Sequence, residues 1–187
     1  MTETWAITLD GHLATAWRLL AEGVAEPQSP ARRPVLATTG LDGAPQARTV
    51  VLRRADPGAA LVEVHTDTQS TKIAELRRDP RAALHVWHPG AEVQLRLSGR
   101  VTILTGEAAR AYWPAVPDGS RASYGVSPAP GTRLPGPHAY LRAADPERFA
   151  VLRCVLDRIE TVHLGAPIHS RAVFSRGDGW TGDWRAP

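Results

Sequence analysis

The feature that most restricts this chain is a run near its middle in which polarity flips at every residue. Val93, Leu95, Leu97, Val101 and Ile103 fall on one side of an extended backbone, and Glu92, Gln94, Arg96 and Ser98 fall on the other. A period of two marks a β-strand with one buried and one wetted face. Wound into a helix, the same residues would scatter around the axis. A strand this long has two long hydrogen-bonding edges, and the chain must supply partners for both.

Those partners are legible on either side. Pro34 to Thr39, Ala44 to Arg54, Ala59 to Thr66 and Ala82 to His88 read as strands before the run. Val151 to His163, Ile168 to Ser175 and Gly179 to Trp184 read as strands after it. Gly40-Leu41-Asp42-Gly43, Asp56-Pro57-Gly58 and Pro89-Gly90 supply turns. Helical spacing runs from Asp10 to Ala25 through Leu13, Ala16, Trp17 and Leu20. A second helix opens near Ser70, carries Ile73 and Leu76, and stops at Asp79-Pro80. Gly106 to Trp113 and a short piece at Asp145-Pro146 complete the helices. Hairpins dominate, so the expected fold is mainly β: six to eight antiparallel strands closed into a barrel, with peripheral short helices. The 187 residues suit one domain, 1–187, with 1–30 as an N-terminal helix and linker and 114–138 as a Pro/Gly-rich loop.

Composition narrows the function classes. The chain has 22 basic and 19 acidic side chains, a net charge of +3, and its only lysine is Lys72. The arginines are scattered among acids rather than clustered in a stripe, which argues against a nucleic-acid partner despite a pI near 9.6. No run approaches the 18 apolar residues of a membrane span, and Met1-Thr2-Glu3-Thr4-Trp5 lacks the pattern of a signal peptide. Cys154 is the only cysteine, so an internal disulfide is ruled out. A soluble cytoplasmic protein is the expectation.

Familiar catalytic motifs are absent, and no metal site is expected. His85 and His88 lie three apart on a strand, hence on opposite faces, and so do Asp157 and Glu160. What remains is a set of groups suited to a phosphate. Arg48 stands on the second strand, Thr66 ends the third, and Ser70, Thr71 and Lys72 open the following helix. An arginine fork, hydroxyls and the N–H groups of a helix start all favour a dianion. The same residues also suit a solvated strand-end arginine and a plain helix cap, and the residue types alone leave both readings open.

Longer stretches carry a resemblance. In order they are Ala37-Thr38-Thr39 with Asp42-Gly43, Arg48-Thr49-Val50-Val51-Leu52-Arg53, Val64-His65-Thr66, and Ser70-Thr71-Lys72 with Asp79-Pro80. Val93-Gln94-Leu95, Ser98-Gly99-Arg100, Ala111-Tyr112-Trp113, His169-Ser170-Arg171, Trp180 and Arg185-Ala186-Pro187 follow. From about Arg33 to its end the chain resembles the pyridoxamine 5′-phosphate oxidase-like flavoproteins of the FMN-binding split barrel. The resemblance implies a homodimer with FMN in the groove between subunits. Arg48, Thr66 and Lys72 would hold the phosphate, with Thr49, His65, Ser70 and Thr71 in the flanking motifs. The backbone of Val50, Val51, Leu52 and Arg53 would line the isoalloxazine, and Gln94 and Arg171 would reach it from the partner subunit. Tyr112, Ser120, His169 and Arg171 are the candidates for orienting a substrate.

The departures from the family pattern bear on that substrate. The segment after Tyr112, Pro114-Ala115-Val116-Pro117-Asp118-Gly119-Ser120, carries no cation. Arg53 stands where lysine is usual, Thr71 where a basic residue is expected, and Ser127-Pro128-Ala129-Pro130-Gly131 replaces a Gln-Ser pair. The expectation is an FMN-dependent oxidoreductase acting on an unidentified small molecule, with the departures counting against oxidation of pyridoxamine 5′-phosphate. The alternatives are a protein that holds FMN without turnover, or a deazaflavin-binding reductase on the same fold.

Overall fold

The computed structural model describes residues 4–165 and 167–187, so the leading Met1-Thr2-Glu3 lies outside the described residues. The first half of the chain forms α1 (Leu9–Ala25), β1 (Val35–Thr39), β2 (Pro45–Thr49), β3 (Leu52–Asp56), β4 (Leu61–Asp67) and α2 (Thr71–Arg78). Then come β5 (Arg81–His88), β6 (Val93–Leu104), α3 (Glu107–Arg110), α4 (Asp118–Arg121), β7 (Val126–Ser127) and β8 (Leu141–Arg142). The chain closes with β9 (Phe149–His163), β10 (Ser170–Ser175) and β11 (Asp183–Arg185).

The alternating run is β6, and it does need both edges. Along one it pairs with β5, from Val93↔His88 to Arg100↔Arg81, and along the other with β9 over its whole length. The 15-residue β9 is shared on its far edge, where its first half pairs with β4 and its second half with β10. The main sheet is antiparallel, ordered β11-β10-β9-β6-β5-β1-β2, with β4 also on β9 and β3 on β4. Strands β2 and β3 are consecutive in the chain yet sit at opposite ends of that pairing path. Val50 and Val51 join them, so the barrel is closed at that corner by covalent continuity and not by a ladder. This is the split barrel.

The predicted strand from Ala44 to Arg54 is therefore two strands. The amide of Val50 donates to the carbonyl of Pro34 at 2.9 Å, beside the last β1–β2 pair, after which the chain turns away to meet β4. β-Branched residues run through the corner, so no turn residue betrays it. That break, with the short β11, brings the sheet to nine strands. Gly179 to Trp184 is mostly turn, with Gly179 and Trp180 at φ near +69° and +67°, and only Asp183–Arg185 pairs with β10. Gly106 to Trp113 contains a single helical turn, followed by a 3₁₀ turn at Trp113–Ala115.

The barrel interior is filled by Leu36, Leu52, Leu84, Leu95, Leu97, Leu152, Ile159 and Phe174, all 2% exposed or less. Helix α1 adds Ala16, Leu19 and Leu20, and α2 adds Ile73 and Leu76. Each large side chain removed from water contributes about 1.5–3 kcal/mol. A smaller cluster of Ala109, Val116, Tyr124, Phe149 and Val151 anchors the Pro/Gly-rich segment to the barrel. Asp67 ties the same segment down, accepting two hydrogen bonds from Nη2 of Arg148 at 2.8 and 2.9 Å and one from the amide of Gly125 at 2.9 Å.

One close approach makes a test. Opposite Gly99, β9 carries Asp157 as an extra residue, and a Cβ on Gly99 would run into the carbonyl of Val155. Gly99→Ala is expected to lower stability by about 1–3 kcal/mol, as overpacking does. Urea unfolding should show a lower midpoint with an unchanged m-value, and an unchanged midpoint would mean that the two strands are not packed this closely.

Candidate functional site at the corner of the barrel

The corner between β2 and β3 opens onto a cavity of about 350 Å³. Thr49, Val50, Val51 and Arg53 line one side, His65, Thr66 and Asp67 of β4 another, and Ser70 and Lys72 a third. Ser120, Ser123, Tyr124 and Pro130 of the Pro/Gly-rich segment complete it. A neighbouring cavity of about 290 Å³ shares Ser70, Lys72 and Pro130 and adds Gln46, Arg48, Thr71, Glu75 and Gly131. Eleven of the expected residues thus gather in two adjoining spaces: Arg48, Thr49, Val50, Val51, Arg53, His65, Thr66, Ser70, Thr71 and Lys72 from the cofactor set, and Ser120 from the substrate set. Leu52 alternates inward and is fully buried in the core, so its side chain plays no part in these two spaces.

The hydrogen bonds speak against the solvated-arginine and helix-cap reading. Ser70 does not cap α2 through its side chain; its hydroxyl pairs with that of Thr66 at 3.0 Å. The ammonium of Lys72 donates to Thr66 Oγ1 at 3.0 Å and makes no ion pair among the described residues. Burial, with the Arg48 cation beside it, holds the Lys72 pKa below the ordinary lysine value, against the pull of Glu75 and Asp67. Arg48 is not a solvated strand-end residue: it donates to Glu75 Oε2 at 2.8 Å and to the hydroxyl of Thr38.

Arg53 is the extra residue in a β-bulge, because Leu52 pairs with Val64 and Arg54 with Glu63. Bulges re-aim side chains, and here the guanidinium swings across to donate to Ser120 Oγ at 3.2 Å. It too makes no ion pair among the described residues. His65 lies against Phe149, ring centroids 4.8 Å apart, and burial next to the Arg53 cation pushes its pKa down to about 4. It is a neutral imidazole at neutral pH. Arg53 Nε and His65 Nδ1 are both buried without a hydrogen-bond partner among the described residues. These two residues also wall off a third cavity, about 330 Å³, that contains Tyr112, Glu63, Arg54 and Arg32.

Other expected residues lie elsewhere. Tyr112 faces the third cavity, where its hydroxyl accepts from Arg153, itself held by Glu63 at 2.7 Å. His169 is exposed. Gln94 and Arg171 sit on the sheet's outer face, in one cross-strand row through Val162, away from the corner cavities of their own chain. Arg171 donates to Glu160 at 2.8 Å. Sequence reading gave no role to Glu160, Glu63, Asp67 or Glu75, whose arginine partners, other than the neighbouring Arg158 and Arg54, come from distant parts of the chain. Burial pushes the Cys154 thiol up to about 12, so it is no nucleophile at neutral pH.

Comparison with known proteins agrees with this geometry. Residues 5–105 match the family model described as pyridoxamine 5′-phosphate oxidase, FMN-binding domain. The chain belongs to that family. A pyridoxine/pyridoxamine 5′-phosphate oxidase of Anaeromyxobacter dehalogenans is 33% identical over 186 residues, covering 86% of this chain and 87% of its own length. One from Thermosynechococcus vestitus is 33% identical over 162 residues, 78% and 74% respectively. Among solved structures, a pyridoxamine 5′-phosphate oxidase-related FMN-binding protein of Nostoc punctiforme superposes with a TM-score of 0.76 at 23% identity, over 93% of this chain and 96% of that one. PhzG of Burkholderia lata, solved with tetrahydrophenazine-1-carboxylic acid, gives 0.72 at 20% identity, over 94% and 91%. Members of the family are FMN-dependent oxidoreductases, and FMN is its cofactor.

The neutral state of His65 has a measurable consequence. An unfolded histidine titrates near pH 6.5, while folded His65 does so near 4. Between those values the unfolded chain binds the extra proton, so stability should rise with pH from about 4 to about 6.5 and gain nothing further from this group above that. His65→Gln should reduce the difference in unfolding free energy between pH 4.5 and pH 7. Identical pH dependence in variant and parent would mean that the imidazole is not buried in this way.

Proposed function

We propose that the chain, taken as one unit over 1–187, is a cytoplasmic homodimeric FMN-dependent oxidoreductase acting on a small molecule other than pyridoxamine 5′-phosphate. The observation that supports this most is the convergence of Lys72, Arg48, Thr66 and Ser70 on the corner where the backbone passes from one side of the barrel to the other. The residues fit the cofactor. Lys72 is a partly buried cation whose only hydrogen-bond partner among the described residues is a hydroxyl, and the unsatisfied Arg53 Nε and His65 Nδ1 are what a polar ligand at this wall would satisfy. Lys72, Arg48, Thr66, Ser70 and Thr71 hold the phosphate, and the backbone from Thr49 to Arg53 borders the ring. Bound there, FMN supplies a ring that accepts and passes on a hydride.

The protein's share is binding, orientation and electrostatics. Arg53 presents a cation, and neutral His65 adds a hydrogen-bonding group that carries no charge at working pH. Tyr124 keeps its proton, because burial raises its pKa. The substrate choice follows from what faces the cavities. Val116 is buried in the second apolar cluster, and the Tyr112 hydroxyl is engaged by Arg153. The segment from Pro114 to Ser120 itself offers no cation to a substrate phosphate, at on the order of 1.5–3 kcal/mol for each charged hydrogen bond forgone. The second copy contributes the outer-face row. Trp87, Gln94, Val162, Arg171 and Arg185 stand in register across five strands, and Trp87 is 44% exposed. A partner docked there brings Gln94 and Arg171 to the flavin.

Lys72→Ala and Arg48→Ala are each expected to weaken FMN binding by about ten- to a hundredfold, with the far-ultraviolet circular dichroism unchanged. Flavin fluorescence quenching reads the affinity. Wild-type affinity in both variants would refute the phosphate assignment. Bleaching of the bound flavin by a reduced nicotinamide, followed by reoxidation with an acceptor, is the expected sign of turnover, and a flavin that no such donor reduces would favour a holder over an enzyme.

A further inference from the structure

Arg48 reaches its cavity from a strand, and a strand-borne arginine has four side-chain torsions to fix. Here a carboxylate fixes them. Glu75 stands on α2, three residues beyond Lys72 and hence on the same side of the helix. Its side chain is 3% exposed. Thr38 of β1 donates to its Oε2 at 2.6 Å, and Arg48 of β2 donates to the same oxygen at 2.8 Å. Arg48 also donates to the hydroxyl of Thr38, which closes a triangle across two strands and the helix. Those are the protein partners of Arg48 among the described residues, so the remaining N–H groups of its fork are left for the cavity it lines with Lys72 and Ser70.

Stability alone does not explain the arrangement. A buried ion pair adds little over a well-packed apolar pair of the same volume, because desolvation offsets the attraction. What the triangle adds is orientation, and a negative charge between two neighbouring cations. We propose that Glu75 is the positioning residue of the phosphate site: it aims Arg48 into the cavity beside Lys72, and so makes the protein prefer a flavin that carries a phosphate over the same ring without one. This inference rests on the FMN reading above. The direction of its effect is diagnostic. Removing a negative charge near a bound dianion would, by Coulomb attraction alone, tighten the phosphate-bearing ligand. Loss of positioning weakens it.

The test is the ratio of riboflavin to FMN dissociation constants, measured by fluorescence quenching on the full chain. Glu75→Gln should lower that ratio by about fivefold or more while riboflavin affinity stays near the parent value, even though loss of the buried ion pair lowers the melting temperature. Thr38→Val, which removes the other anchor of the carboxylate without changing charge, should shift the ratio the same way, and it serves if Glu75→Gln folds poorly. In an Arg48→Ala background, Glu75→Gln should change the ratio by less than about twofold. A wild-type preference for FMN that persists or grows in Glu75→Gln overturns the positioning role alone. A wild-type protein that binds riboflavin as tightly as FMN removes the phosphate site, and the role of Glu75 with it.

Discussion

The structure depends on one discontinuity, the two residues at which the chain leaves one strand ladder for another and where only the amide of Val50 is bonded back, to Pro34. A closed sheet satisfies every edge, whereas a barrel closed by chain continuity leaves backbone at the seam for something else to meet. Val50 and Val51 are that seam, and the seam faces the corner cavity. The next irregularity along the chain, the bulge at Arg53, turns a guanidinium toward the same space. Strand β4, held on β9 by seven paired residues, then fixes His65, Thr66 and Asp67 opposite the seam. The site is thus a by-product of how the barrel closes, placed by the most regular part of the sheet.

Charge inside the molecule follows a simple pattern. Glu63, Asp67, Glu75 and Glu160 are each 4% exposed or less, and arginines meet all four: Arg153, Arg148, Arg48 and Arg171. Three of the pairs join elements far apart in sequence, by 27 residues for Arg48 and Glu75, 81 for Arg148 and Asp67 and 90 for Arg153 and Glu63, while Arg171 and Glu160, 11 apart, join adjacent strands. Guanidinium forks suit this task, because they satisfy a buried carboxylate's oxygens from a fixed plane. Burial opposes ionisation of Glu160, yet Arg96, Arg158 and Arg171 together hold its pKa below the ordinary carboxylate value. Against this background Lys72 and Arg53 stand out as partly buried cations in the corner cavity that make no ion pair among the described residues. On the proposed reading, an anionic ligand supplies their partner.

Much of the fold was legible because it rests on local periodicity. The two-residue alternation of β6, the apolar stripes of α1 and α2, and the turns flanking β1 and β4 all declare themselves in the residues. The corner at Val50 did not, since an alternating β-branched run reads the same whether the strand continues or changes partners. The residues proposed to face a phosphate were legible in part. Ser70, Thr71 and Lys72 are neighbours at a helix start, and Arg48 belongs to a short strand motif. Glu75 escaped notice because on α2 it reads as an ordinary surface acid, and only the packing of that helix on β1 buries it. Tyr112 and Ser120 lie eight residues apart, yet one faces the third cavity and the other the corner, a division no spacing rule could show.

A crystal structure of the protein with FMN bound tests the central claim most directly. The account requires the phosphate at the junction of the two corner cavities, with oxygens within about 3 Å of the Lys72 ammonium and the Arg48 guanidinium, and the ring against Val50 and Val51. Density for the phosphate at the third cavity, or on the outer sheet face away from Lys72, would contradict it.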